Sequence, residues 1–198
     1  MTLFNFSDDI RLEDERVLLR PLTLADDEHL IPFTKEEPNI WRYAVILPSS
    51  PGIMREYIRA AVEGRNAGKE YPFIVFDKQA QKYAGSTRFY DIQLANNMLQ
   101  LGYTWYGNAF QGTGLNKHCK YLLLQFAFER MDMERVEFRA AHNNERSIAA
   151  MKSIGCTVEG TMRSCAANPD GTRRSTVILS ILKDEWFATV KENLFKRL

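Results

Sequence analysis

Neither cysteine nor histidine is plentiful in this chain, and neither is arranged for metal or redox chemistry. Cys119, Cys156 and Cys165 are odd in number and show no Cys-x-x-Cys spacing, which argues against a disulfide framework and a zinc cluster. His29, His118 and His142 are scattered and form no metal-spaced pair, so no metal is expected. No charge sign dominates. With 26 Lys+Arg against 25 Asp+Glu the net charge is +1, and a nucleic-acid polyanion is not the expected partner. Long apolar runs are missing too: the most apolar stretch, Tyr121 to Phe128, is far too short to cross a bilayer, so no membrane partner is expected. The start, Met1-Thr2-Leu3-Phe4-Asn5-Phe6, runs straight into Asp8 and Asp9 with no basic n-region, so no secretory signal is read and a cytoplasmic location is expected. There is no repeat, no low-complexity tract and no Gly/Ser linker, and one domain over residues 1–198 is the simplest reading.

What is present is an ordinary globular composition, 45% hydrophobic and 26% charged over 198 residues. Arg16 to Leu22 reads as a strand. Thr23 then caps a short helix to about Phe33, with Asp26 and Asp27 in its first turn. Ser50-Pro51 opens a second helix, stopped by Gly68. Tyr71 to Phe76, Tyr83 to Ile92 and Met98 to Tyr106 read as three strands, the last two separated by the turn residues Asn96-Asn97. Gly112 to Arg130 carries an apolar stripe at helical spacing. A strand, Arg135 to Ala140, and a short helix, Glu145 to Ile154, come next. Two strands, Cys156 to Ser164 and Thr172 to Leu182, are joined by Asn168-Pro169-Asp170-Gly171. Trp186 to Leu198 reads as a terminal helix or tail. The order predicts an α/β fold, with an antiparallel meander leading into a parallel crossover from Met98 to Ala140 and helices on both faces.

The segment that carries chemistry is Tyr103-Thr104-Trp105-Tyr106-Gly107-Asn108-Ala109-Phe110-Gln111-Gly112-Thr113-Gly114-Leu115-Asn116. A strand ends, a loop with three glycines follows, and an amphipathic helix begins. Free N–H groups at a helix start, backed by the helix dipole, suit an anion, and glycine lets a phosphate come close to the backbone. A plain strand-to-helix turn is the other reading of the same residues. No Lys-Ser/Thr pair follows the last glycine, so this is not a Walker loop, and the spacing is not that of a dinucleotide fingerprint.

The order of elements, this loop, and the later run VEFRAAHNNERSIAAMKSIGCTVEGTMR together resemble the GNAT superfamily of acetyl-CoA-dependent N-acetyltransferases. ERVLLRPLTLADDEHL, YAGSTRFY and DGTRRSTVILSILKDEW extend the likeness over nearly all of residues 15 to 187. Within the superfamily the chain looks like the branch of ribosomal-protein N-terminal acetyltransferases. The resemblance implies a GNAT fold: a mixed, mostly antiparallel central sheet of about six or seven strands, helices on both faces, and a splayed pair of parallel central strands. It implies acetyl-CoA as co-substrate and a primary amine as acceptor, attacked directly in a ternary complex. Relatives often dimerise, so a homodimer is among the implied partners.

Carried onto this sequence, the family's pyrophosphate loop falls on Gln111, Gly112, Thr113, Gly114, Leu115, Asn116 and Lys117, with Asn116 standing where relatives have Gly or Ala. Thr104, Trp105 and Tyr106 are the implied backbone partners of the pantetheine arm. A backbone N–H, at Tyr106, meets the developing oxyanion. Lys117 or Lys120 is implied near the adenosine 3′-phosphate, against the plain reading of a solvated lysine. Asn144 is implied near pantetheine and Ser147 near the sulfur. The structural reading makes Asn144 an N-cap, and the two readings are compatible. Where many relatives carry a Tyr to protonate the leaving thiolate stands Met151, so Ser147 or a water takes that role. Where relatives often have a base, Glu, stands Gln100, and nothing in the sequence names a base. A free α-amine, pKa ~8 against ~10.4 for Lys, is partly neutral without one, which tilts the acceptor towards low basicity. Trp41, Tyr43, Phe89 and Tyr90 are the expected acceptor-site walls. The rival readings are a non-catalytic acyl-CoA-binding or sensing domain, suggested by Gln100 and Met151, and acetylation of a polyamine, amino sugar or antibiotic.

Overall fold

The computed structural model describes residues 4–44, 47–168 and 170–198. Met1 to Leu3 of the N-terminal reading and Pro169 of the turn reading lie outside these residues.

Among the described residues eight strands form one sheet in the order β1-β2-β3-β4-β5-β6-β8-β7. They are β1 (Leu12–Glu13), β2 (Val17–Pro21), β3 (Tyr71–Asp77), β4 (Lys82–Gln93), β5 (Met98–Tyr106), β6 (Arg135–Ala141), β7 (Thr157–Ala167) and β8 (Arg173–Leu182). Every pairing is antiparallel except β5 with β6. The sheet thus has one strand more than the six or seven expected. The addition is β1, a two-residue edge strand that pairs through Leu12↔Leu19 and Glu13↔Leu18 and is too short for a period-two pattern to reveal.

Helices cover both faces. On one, α1 (Asp27–Leu30), α2 (Pro32–Glu36) and α3 (Pro51–Asn66) lie over a core of Leu22, Leu30, Trp41, Met54, Ile58 and Trp105. Ser50 caps α3 by accepting the Ile53 N–H at 3.3 Å, and Gly68, with φ of 69°, turns the chain away after it. On the other face, α4 (Leu115–Gln125) and α5 (Glu145–Ser153) bury the larger core, which includes Phe73, Phe89, Leu101, Cys119, Leu123 and Phe138. α4 begins at Leu115 rather than Gly112, because Gly114 takes the left-handed conformation at its N-cap, with φ of 90°. It continues through a π-helical turn, Phe126–Arg130. The last segment is helical: Lys183–Glu185, Trp186–Val190 and Lys191–Phe195 run on from β8, with Trp186 fully buried and its indole N–H donating to Glu129 at 3.0 Å. Among the described residues no helix is long and apolar enough to cross a membrane.

Candidate active site

The parallel pair opens into a cleft. β5 and β6 pair only through Met98↔Arg135, Leu99↔Val136 and Gln100↔Glu137, although β5 runs on to Tyr106 and β6 to Ala141. The divergence begins beside a bulge. Between Ser86↔Trp105 and Arg88↔Gly102 strand β5 carries one residue more than β4, and Tyr103 takes a φ of 49°. The extra residue places Gly102 and Tyr103 towards the α3 face in succession, and the next residues alternate. Trp105 faces the α3 core, while Thr104 and Tyr106 face the α4 side.

The bulge also fixes which backbone groups β4 uses. The Trp105 carbonyl faces Gly85, where a Cβ would sit 2.0 Å from that oxygen, and the Gly107 N–H donates to Ala84 at 2.9 Å. Trp105 and Gly107 are therefore committed to β4. By alternation Thr104 and Tyr106 turn their backbone groups to the open side, towards β6. The Tyr106 carbonyl accepts from Gln111 Nε2 at 2.7 Å. Its phenol is buried beside Cys119, and burial pushes its pKa well up.

At the mouth of the cleft, Gly112 and Gly114 have φ of 78° and 90°, and a Cβ added to either would meet nothing within 4 Å. No packing demands glycine there. The loop is an open cradle ahead of the first turn of α4, where the Leu115 N–H reaches Thr113 Oγ1 at 3.5 Å and the Lys117 N–H donates to the Gly114 carbonyl at 2.8 Å. Thr113 Oγ1 donates to the Phe110 carbonyl at 2.9 Å. Leu115 is a core residue, Asn116 is half-buried, and Lys117 Nζ reaches the Arg197 carbonyl at 3.5 Å. Lys120 does not stand at the mouth with them. It is buried, with Nζ donating to Thr104 Oγ1 at 2.9 Å, and burial pulls its pKa down to about 8.

On the opposite wall, Asn144 caps α5 by accepting the Ser147 N–H at 3.2 Å, and the Ser147 side chain is half-buried in that first turn. Met151 is buried one turn further on. Cys119 and Cys156 are buried thiols pushed up to about 12, which leaves them unreactive as nucleophiles at neutral pH.

The acceptor-wall residues divide. Trp41 packs edge-on to Trp105 at 4.6 Å between ring centroids, and Tyr90 lies against Tyr103 at 5.0 Å, both on the α3 face. Tyr43 spans the end of the cleft: its hydroxyl donates to the Asn143 carbonyl at 3.3 Å and its own carbonyl accepts from Arg174 at 3.2 Å. Phe89 is not brought to this wall. It points to the α4 core, fully buried against Phe73 and Phe126, because neighbouring strand residues face opposite sides and Tyr90 takes the other one.

Two residues, Arg88 and Glu137, were not singled out from sequence. Arg88 is buried on the α3 face, paired with Glu70 at 2.7 Å and stacked over the Tyr57 and Tyr103 rings at 4.8 and 4.3 Å. Glu137 lies in register with Gln100 at the base of the cleft, buried between Arg135 and Arg139 at 2.8 and 2.7 Å. Gln100 donates to Asp91 at 2.7 Å. A cross-strand register is the signal that would have found Glu137. Glu159 pairs with Arg135 and accepts from Ser180, a structural role.

Known proteins similar to this chain identify its family. The family model "Acetyltransferase (GNAT) domain" matches residues 16–157. The chain is 27% identical over 183 residues to a Bacillus subtilis (strain 168) protein named "Putative ribosomal N-acetyltransferase YdaF", covering 87% of this chain and 94% of that one. Its fold is similar to that of an acetyltransferase structure, described as putative, from T. thermophilus, with 33% identity, a TM-score of 0.82 and coverage of 97% and 98%. It also matches the Microcin C7 self immunity acetyltransferase MccE, solved with acetyl-CoA and AMP, at 21% identity and a TM-score of 0.77 over 85% and 93% of the chains. The chain belongs to the GNAT acetyltransferases, enzymes that transfer an acetyl group from acetyl-CoA.

Proposed function

We propose that the acceptor is a low-basicity primary amine, a protein N-terminal α-amine before any other, and that the enzyme acts mainly by positioning. The observation that carries this is the state of the carboxylates around the cleft. Glu137 is held by Arg135 and Arg139, Glu70 by Arg88, and Asp91 by Gln100. None of these is left free to take a proton from a strongly basic ammonium or to attract a polycation. An α-amine with pKa ~8 is already partly neutral at pH 7. The word "ribosomal" in the name of the Bacillus subtilis relative supports a protein acceptor.

The residues fit acetyl-CoA. The cradle at Gly112 and Gly114 has room for a pyrophosphate on the first turn of α4, with Gln111 to Lys117 around it. Thr104 and Tyr106 offer backbone groups to the amides of the pantetheine arm, as an adjoining strand would. The co-substrate supplies an activated acetyl group: its C–S bond breaks as the C–N bond to the amine forms. The Tyr106 N–H, turned to the gap, is placed to meet the carbonyl oxygen as charge gathers on it. Trp41, Trp105, Tyr43 and Tyr90 wall the α3 side, where the amine would enter. Holding the two reactants in line can account for a large part of the rate.

A release assay for free CoA, run with acetyl-CoA and a panel of N-terminal peptides, polyamines and amino sugars, tests this reading. Peptide α-amines should turn over best, with the product acetylated on its terminus by mass. Preference for spermidine over every peptide would sink the acceptor assignment. Tight acetyl-CoA binding with no turnover across the panel would favour a sensor.

A further inference from the structure

Lys120 is a buried cation without a counter-ion. It leaves the second turn of α4, is 5% exposed, and no carboxylate pairs with it among the described residues. Its Nζ lies 2.9 Å from Thr104 Oγ1 on β5 and 5.7 Å from the centre of the Phe138 ring on β6. Those two strands are unpaired at this level, and the amine head touches a side chain of each on the α4 face of the sheet. The Thr104 and Thr87 hydroxyls are 2.7 Å apart, and Thr87 Oγ1 lies 3.3 Å from the Gly102 carbonyl. A consistent order of donors follows: Lys120 to Thr104, Thr104 to Thr87, Thr87 to Gly102. One of the three lysine N–H bonds is used. The others have no hydrogen-bond partner among the described residues.

The mechanism above has no use for this group, yet it lacks an acid. Met151 cannot donate a proton, and the Ser147 hydroxyl is a poor acid. A co-substrate with its pyrophosphate on the first turn of α4 and its thioester carbonyl at the Tyr106 N–H would put the sulfur in the same unpaired stretch of the cleft as Thr104, two residues along β5, to which the Lys120 head donates. We propose that Lys120 is the acid of the reaction: its ammonium delivers a proton to the CoA sulfur as the C–S bond breaks. The inference rests on acetyl transfer in this cleft. The balance closes, because the amine nitrogen loses one proton on forming the amide and the sulfur gains one. Lys120 gives its proton to sulfur and is restored by the one released from the amine, directly or through solvent.

The chemistry is matched. With its pKa pulled down to about 8 by burial, the ammonium is an acid close in strength to a thiol, ~8.5. The groups around it do not titrate in that range: the Cys119 and Cys156 thiols are pushed up to about 12, and the Tyr106 phenol is raised well above its usual value. His118, beside it on α4, is turned away to Asp14 at 2.8 Å.

Two measurements test the proposal. The first is kcat against pH at saturating acetyl-CoA for the wild type, Lys120→Met and Lys120→Arg, with the Kd for acetyl-CoA measured by calorimetry on each. The wild type should show an alkaline fall beginning near pH 8, and Lys120→Met should lose about 10²-fold in kcat together with that limb. Lys120→Arg keeps the charge but cannot release a proton, and should not recover the loss. The second needs no acceptor. CoA bound to the wild type should ionise at lower pH than free CoA, read from thiolate absorbance in the ultraviolet, and bound to Lys120→Met it should not. A wild-type kcat flat or rising through pH 8, a Lys120→Met kcat within twofold of wild type, or full recovery in Lys120→Arg would each overturn the proposal. If neither variant folds, the wild-type profile and the CoA titration still decide it. Failure of every amine to be acetylated would overturn the transfer reading and this step with it. Undiminished acetylation by Lys120→Met would overturn the lysine alone.

Discussion

Gln111 donates to the Tyr106 carbonyl at 2.7 Å, and so ties the first residue of the glycine loop to the last residue of β5. The bond holds the cradle for phosphate against the strand that offers its backbone to the pantetheine arm. The Gln111 side chain reaches the Tyr106 carbonyl, not the N–H that is to meet the oxyanion. Gln111→Ala should therefore weaken acetyl-CoA binding with kcat at saturation almost unchanged. A single neutral hydrogen bond is worth about 1 kcal/mol, so the Kd should rise roughly fivefold. Calorimetric titration checks the first part and steady-state kinetics the second. A fall in kcat with unchanged Kd would move Gln111 from the binding loop to the chemistry.

Gly114 combines a φ of 90° with open space where a side chain would go. Gly114→Val meets two costs. The left-handed backbone is strained for a β-branched residue, at about 1–2 kcal/mol, and the new side chain enters the volume a pyrophosphate needs. The variant should fold with a modestly lower Tm and lose most of the Tm rise that acetyl-CoA gives the wild type. Gly114→Ala should lose less. A Gly114→Val protein that melts cooperatively and still gains the wild-type shift would show that phosphate binds elsewhere.

Much of this was legible in the sequence because local signals and the global fold agree. Ser50-Pro51 and Gly68 bound α3, Asn97 makes its turn with φ of 48°, and Asn144 caps α5. What stayed hidden depended on register or on inter-element gaps. Phe89 and Tyr90 are equally good wall candidates until the sheet assigns one to each face. Glu137 becomes a neighbour of Gln100 only when β5 and β6 are aligned. Lys120 follows the buried Cys119 on α4, where a lysine is ordinarily solvated. It is buried against Thr104 and Phe138, on two strands that part beyond Gln100 and Glu137, and a one-dimensional pattern carries no trace of that divergence.

Asn144 and Ser147 can be separated by experiment. The Asn144 side chain accepts from the Ser147 backbone, not from its hydroxyl, so the cap survives Ser147→Ala and is lost in Asn144→Ala. Asn144→Ala should cost about 1 kcal/mol of stability. Ser147→Ala should leave the Tm within error of wild type. If Lys120 supplies the proton to sulfur, Ser147→Ala should also keep kcat within about twofold, well short of the 10²-fold expected of a positioned acid. Urea melts and kcat at saturating acetyl-CoA on the two variants give the answer. A 10²-fold loss in Ser147→Ala would return the acid to the serine.

Lys120 also makes a prediction about stability that needs no substrate. Its pKa falls from 10.5 to about 8 on folding, with burial as the leading cause. Between those values the unfolded chain binds more protons than the folded one, so the stability of the wild type should rise with pH across that window. Below about pH 8 the lysine is charged in both states. The folded protein then carries a cost on the order of 3 kcal/mol for the buried charge. Lys120→Met removes the charge and gives up one hydrogen bond to Thr104, whose hydroxyl keeps Thr87 as a partner. The variant should be more stable than the wild type at pH 7 by on the order of 2 kcal/mol. The gap should narrow as the pH approaches 10.5, where the lysine is losing its proton in the unfolded chain as well. Urea unfolding of both proteins at pH 7 and pH 10 reads this directly. A variant that is stabilised yet slow is the pattern expected of a charge kept in the cleft for chemistry. A variant destabilised equally at both pH values would mean that Lys120 serves packing.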